Sequence, residues 1–327
     1  MQDNLKFSND EIEKLIEQKQ CLAIMGPTAS GKSRLSMAVA ECLPVEIISV
    51  DSALIYKGMD IGTAKPSEEE MQQVPHHLIS ILEPTESYSA ADFVDDVHRL
   101  VPEIFARGRI PLLVGGTMMY FNALQKGMAK LPSADEALRE KLFAAWQANP
   151  KEVHARLAEV DPEAADRIHA NDSQRLTRAL EVYELTGRPL SELQKAEQGE
   201  GLTEFKLAKV ALMAEDRAKL HEQIAVRFQH MIDQGFLAEA GCLFQTPAIH
   251  PDLPSVRSVG YRQAWPFYRG EYGFQTFVEK GIVATRQLAK RQITWLRKEA
   301  VDLVIDPFET SLDQQVAETC GLLKGDL

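Results

Sequence analysis

Eight consecutive residues, Gly26-Pro27-Thr28-Ala29-Ser30-Gly31-Lys32-Ser33, have the Gly-x4-Gly-Lys-Ser spacing that wraps backbone N–H groups around a phosphate chain. In such a loop the glycines let the backbone curl inward and the following helix end adds partial positive charge. The lysine reaches the outer phosphates and the serine hydroxyl holds Mg²⁺. The flanks agree. Cys21–Met25 is an apolar run suited to a buried strand, and Leu35, Ala38, Val39 and Cys42 recur at i, i+3, i+4, i+7, one face of a helix. The chain is therefore expected to bind a di- or triphosphate. A Gly-rich turn without a ligand is the plainer alternative, and the strand, loop, helix order weighs against it.

A second group follows the apolar run Val45–Val50, where Asp51 puts a carboxylate at the C-terminal end of a parallel strand, the place where open α/β sheets bind ligands. Asp51 can act as a general base or hold a Mg²⁺-bound water; its plainer roles are a helix cap or a loop ion pair. Another strand end, Leu112–Val114, runs into Gly115-Gly116-Thr117, where paired glycines admit a close ligand and Thr117 offers a hydroxyl. His76-His77 resembles a metal pair, but neighbouring residues point apart and a structural role is expected.

The elements that must position these groups are apolar runs at Val45–Val50, Ile110–Val114, Phe205–Met213 and Val301–Ile305, separated by helical patterns, as a parallel sheet requires. The predicted fold is α/β: a P-loop core with a parallel sheet, a helical insertion domain and a helical C-terminal part. Residues 1–20 read as an acidic leader, 21–131 as the first part of the core, 132–198 as the insertion, and 199–327 as a returning strand with C-terminal helices. Ser133 with Glu136 reads as a capping box that opens the insertion, followed by Leu138, Leu142, Ala145 and Trp146 at helical spacing.

With 327 residues and 45 % apolar content, the chain can build one large or two modest cores. The first residues have no signal-peptide pattern and no stretch approaches a membrane span. Cys21, Cys42, Cys242 and Cys320 include no Cys-x-x-Cys pair, which argues against a structural zinc site and suits a reducing cytoplasm. A net charge of −12 argues against nucleic acid as a partner for the surface as a whole. Lys280, Arg286, Lys290, Arg291, Arg297 and Lys298 break that pattern, because the stretch they occupy contains no acid.

Beyond the phosphate loop, Asp51-Ser52 and Gly115-Gly116-Thr117, the chain carries Gly58-Met59-Asp60-Ile61-Gly62-Thr63-Ala64-Lys65-Pro66, Asn171-Asp172, Gln174-Arg175-Leu176 and Arg178-Ala179-Leu180-Glu181-Val182-Tyr183. Val259-Gly260-Tyr261-Arg262-Gln263 and the run from Thr285 to Arg297 complete the set. In this order the blocks closely resemble the tRNA dimethylallyltransferases, isopentenyl transferases that act on the adenosine next to the anticodon. The chain departs from that pattern at its N-terminus, where the phosphate loop lies further from the start.

The resemblance implies that the phosphate loop holds dimethylallyl diphosphate and that the acceptor is N6 of adenine in a tRNA anticodon stem-loop. It also implies a Mg²⁺-dependent, monomeric, cytoplasmic transferase without a membrane partner. Asp51 is expected to take the amine proton, because the adenine amine is a poor nucleophile. Thr117 is expected to bond near that amine. Lys32, Mg²⁺ on Ser33 and Arg217 are expected to neutralise the leaving diphosphate. The tRNA contacts implied are Asp51, Ser52, Ala53, Leu54, Thr117 and Arg139, then Gln174, Arg175, Leu176, Thr177 and Arg178. Arg257, Ser258, Val259, Gly260, Tyr261 and Arg262 follow, with Lys290, Arg291, Gln292, Ile293, Thr294, Trp295, Leu296 and Arg297. A small-molecule kinase or an adenylate isopentenyl transferase would share the loop and Asp51, yet neither needs the basic stretch. A regulatory GTPase would need an Asn-Lys-x-Asp motif, and no Asn-Lys pair occurs.

Overall fold

The computed structural model describes residues 5–127, 131–132, 135–196 and 202–325. The chain divides into two compact units, one made of residues 1–121 and 204–327, the other of residues 122–203.

The first unit is built on six parallel strands: β1 (Gln20–Met25), β2 (Val45–Val50), β3 (His76–His77), β4 (Ile110–Gly115), β5 (Lys206–Leu212) and β6 (Leu303–Ile305). Their order is β3-β2-β4-β1-β5-β6. β2 is buried along its whole length and β1 everywhere but Gln20. Such continuous burial suits a sheet covered on both faces. Met25 pairs with Gly115 and Gly115 with Val50, so β1, β4 and β2 end level with one another. That shared edge is where the strand order reverses, the crevice in which open α/β sheets place ligands.

β3 is too short to be read from periodicity. Its histidines serve the sheet edge, as expected of structural residues: His76 Nδ1 lies 2.7 Å from the Val74 carbonyl and His77 Nε2 lies 2.7 Å from buried Glu46. Among the described residues no three His, Cys, Asp or Glu side chains converge as a metal cage. Within the acidic leader, Asn9–Glu17 forms a helix opened by a Ser8–Glu11 capping box, and Phe7 and Leu15 join the core beside Cys42 and Cys320. No described helix is long and apolar enough to cross a membrane.

The C-terminal helices Arg217–Asp233, Phe236–Phe244, Tyr261–Tyr268 and Phe274–Leu296 share an aromatic core. Phe228, Phe236, Tyr261 and Phe277 pack there with Ile55, Tyr56 and Met59 from the segment after β2. This cluster fixes the helices against the loop that walls the sheet edge.

The second unit is helical, with its own core around Leu157, Leu176, Leu180 and Val182. Asn149 and Asp161 each cap a helix whose first residue is proline, Pro150 and Pro162, a position where the missing N–H costs nothing. Ser133 lies outside the described residues, and the cap of the Glu136–Ala148 helix is Asp135, whose side chain accepts the Leu138 N–H.

Candidate active site

The phosphate loop joins β1 to the helix Lys32–Ala40. Gly31 caps that helix at φ 87°, a left-handed conformation that residues with a Cβ rarely adopt. The Lys32 ammonium donates to the Pro27 carbonyl at 2.7 Å and so stays folded over the loop. Burial of this ammonium, then the nearby Arg227 charge, lower its pKa to about 7, against the opposing pull of Asp51.

Asp51 leaves the end of β2, and its Oδ1 accepts the Ala53 N–H at 2.8 Å, which fixes the carboxylate at the rim. Across from it, the Thr117 hydroxyl accepts the Ser52 N–H at 3.1 Å, and the Thr117 N–H donates to the Val50 carbonyl at 3.1 Å. Thr117 is thereby tied to the segment that carries Asp51.

A pocket of about 170 Å³ opens at this edge. Lys32, Ser33, Asp51 and Arg227 form its charged and polar side, while Ile47, Val114, Ile224, Phe228, Met231 and Leu288 supply an apolar wall. Its outer wall is the loop Gly62-Thr63-Ala64. One carboxylate holds that loop: Glu239 accepts the N–H groups of Asp60, Ile61 and Gly62 at 2.8, 2.7 and 2.9 Å, and the Tyr261 hydroxyl at 2.5 Å. The Gly58–Pro66 motif is therefore a wall pinned from outside, and sequence reasoning missed Glu239 because its partners lie far away in the chain.

The arginine at the pocket is Arg227, which donates to the Thr63 carbonyl at 3.4 Å. Burial pushes its guanidinium pKa down and the Asp51 charge opposes this. Arg217, expected in that role, stands exposed at the first turn of the same helix and is not on the pocket wall. Of the two arginines on that helix, Arg227 is the one that lines the pocket.

The sequence pattern of the IPP transferase family matches residues 54–299, and that of the isopentenyl transferases matches residues 19–82. The chain belongs to the IPP transferase family. It is 72 % identical over 305 residues to a tRNA dimethylallyltransferase of Hydrogenovibrio crunogenus, covering 93 % of this chain and 94 % of the relative. A tRNA dimethylallyltransferase of Neisseria meningitidis serogroup C is 55 % identical over 291 residues, 88 % of this chain and 93 % of the relative. Among solved structures, the full-length tRNA isopentenylpyrophosphate transferase from Bacillus halodurans aligns with TM-score 0.69 at 36 % identity, over 94 % of this chain and 96 % of that one. A eukaryotic dimethylallyltransferase acting on tRNA aligns with TM-score 0.76 at 27 % identity, over 90 % of this chain and 75 % of that one.

In this IPP transferase the residues expected to touch tRNA fall into three groups by exposure. Gln174, Arg175, Arg257, Arg262, Lys290, Arg291, Thr294, Trp295 and Arg297 are exposed, as are Ser52 and Arg139, while Ala53, Leu54, Ser258 and Val259 sit half-buried at or beside the pocket. Leu176, Thr177, Gly260, Tyr261, Ile293 and Leu296 are buried. Their neighbours in sequence face outward, whereas these pack inward. Arg139 and Arg178 both bond the fully buried Glu181 carboxylate, at 2.9 and 2.6 Å, and Arg178 also donates to the Pro132 carbonyl. Removing either arginine would leave a buried charge short of partners, so these two have a structural role in the second unit.

Proposed function

We propose that this IPP transferase moves a dimethylallyl group from dimethylallyl diphosphate to N6 of the adenosine 3′ of the anticodon in tRNA, at position 37, and releases diphosphate. The observation that carries this reading is one edge of one sheet where a phosphate loop and a carboxylate open onto an apolar wall. A five-carbon apolar chain bearing a diphosphate fits that division of chemistry, and the relatives' names fit it as well.

In the proposed step the N6–C1 bond forms as the C1–O bond to diphosphate breaks, and the N6 proton passes to Asp51. Lys32 and Arg227 neutralise the departing charge, since both stand on the polar side of the pocket. Thr117 directs its hydroxyl to the acceptor amine. Mg²⁺ is the proposed metal. Ser33 at the pocket wall and the donor's own oxygens suit a small cation that keeps several waters, and once bound it would offset diphosphate charge. Labelled dimethylallyl diphosphate incubated with unmodified tRNA and, separately, with AMP tests the reading. Label on tRNA alone is expected, and label on AMP alone would make the chain an adenylate transferase.

Recognition of RNA by so acidic a chain needs local attraction. Arg257, Arg262, Arg286, Lys290, Arg291, Arg297 and Lys298 form no ion pair with a described residue, in contrast to Arg107, Arg139 and Arg178. Trp295 stands 47 % exposed among them, a surface on which an unstacked base can lie. An anticodon loop makes such a base available, and the target adenine must leave its stack to reach a pocket. Reversing Lys290 and Arg291 to Glu is expected to weaken tRNA binding strongly and to flatten its salt dependence, with donor binding retained. Titrations of tRNA and donor across a range of salt check this; an unchanged salt slope would make the stretch a solvated face.

A further inference from the structure

We infer that Gln292 is the positioning residue that sets the separation between the donor cradle and the turn that holds the acceptor, an inference that rests on the transferase reading above. Gln292 sits on the Phe274–Leu296 helix and lines the pocket. Its single amide bonds two strand ends. Oε1 accepts the Thr28 N–H of the phosphate loop at 2.9 Å, and Nε2 donates to the carbonyl of Gly116, the residue before Thr117, at 3.0 Å.

β1 and β4 pair along their length, and the last pair in register is Met25 with Gly115. Past that point the two chains turn into the loops that carry Thr28 and Thr117. The Gln292 amide acts as one more rung, made from a side chain and placed where the two reactants must meet. Its orientation follows from its partners, because an N–H requires the oxygen and a carbonyl requires the NH₂ group. Residue 116 accommodates this only as glycine: a Cβ there would lie 2.4 Å from Gln292 Nε2 and 2.9 Å from the Gly26 carbonyl.

Transfer between two bound molecules depends steeply on such a distance, and a misplacement of about 1 Å can cost roughly 10²-fold in rate. A bond from the cradle to the acceptor turn holds that distance. The helix that supplies it also presents Lys290, Arg291 and Trp295 outward, so one rigid element links the proposed RNA face to the phosphate loop.

The test uses Gln292→Met, which keeps length but removes both bonds, and Gln292→Asn, which keeps the amide but cannot span the gap. Single-turnover transfer to unmodified tRNA is measured at saturating substrates, with separate titrations of dimethylallyl diphosphate and tRNA and a thermal unfolding midpoint. Both variants are expected to slow transfer by about 10²-fold while each dissociation constant stays within about threefold of the parent. Should the methionine variant fail to fold, the asparagine variant decides alone. Unchanged transfer, or a loss explained by weaker binding of either substrate, would overturn the inference. No transfer by the unaltered protein would remove the transferase reading and this inference with it.

Discussion

Asp51→Asn is expected to slow the chemical step by about 10²–10⁴-fold and to leave tRNA affinity nearly unchanged. The size follows from what the substitution preserves. Asp51 Oδ1 accepts the Ala53 N–H at 2.8 Å, and an asparagine oxygen can accept the same bond. The rim therefore keeps its shape, and only the group able to take a proton is lost. Single-turnover kinetics at saturating substrates isolate that loss from binding. If the rate holds and tRNA binding weakens instead, Asp51 is a recognition residue and the proton leaves by another route.

Lys32→Ala is expected to lower kcat/KM for dimethylallyl diphosphate by about 2–4 kcal/mol, the scale of a charge-assisted contact that strengthens as the leaving group departs. Near-normal transfer would remove the phosphate loop from the mechanism. With a pKa of about 7, Lys32 carries its charge on about half of the donor-free molecules near neutral pH. A bound diphosphate favours the charged form and raises that pKa, so binding takes up a proton. The Lys32 contribution to affinity is then greatest below pH 7, where the ammonium is already charged, and weakens as pH rises above 7. Calorimetry in two buffers of different ionisation heat measures the uptake, and the alanine variant should show less of it.

What the residues made legible was local. The Gly-x4-Gly-Lys-Ser spacing, the apolar runs of β1, β2, β4 and β5, Asp51 and Thr117 each announce themselves within a few positions, because strand burial and loop curvature are short-range demands. The pocket arginine was not legible in this way. Whether Arg217 or Arg227 lines the pocket depends on how their shared helix is seated, and Phe228 on that helix packs against Phe236 and Phe277. The same holds for Gln292 and Glu239, whose partners are backbone groups remote in sequence. The inward packing of Ile293 and Leu296 did leave a trace: with Ala289 they recur at i, i+4, i+7, a helical stripe that the surrounding cations mask.

The way the chain enters and leaves its second unit has a consequence for how this enzyme is put together. The Leu202 N–H donates to the Gln125 carbonyl at 3.0 Å, so the outgoing and returning segments of that unit close on each other. On either side of the excursion lie β4 and β5, and both pair with β1, so the sheet needs nothing from the residues between them. Segments whose ends lie close together tolerate replacement by a short connection. A chain in which 126–201 is replaced by a short flexible linker is expected to retain cooperative unfolding and donor binding, read by calorimetry, while losing transfer to tRNA. Donor capture would then need only the sheet and its own helices, whereas transfer to tRNA would need the inserted helices as well.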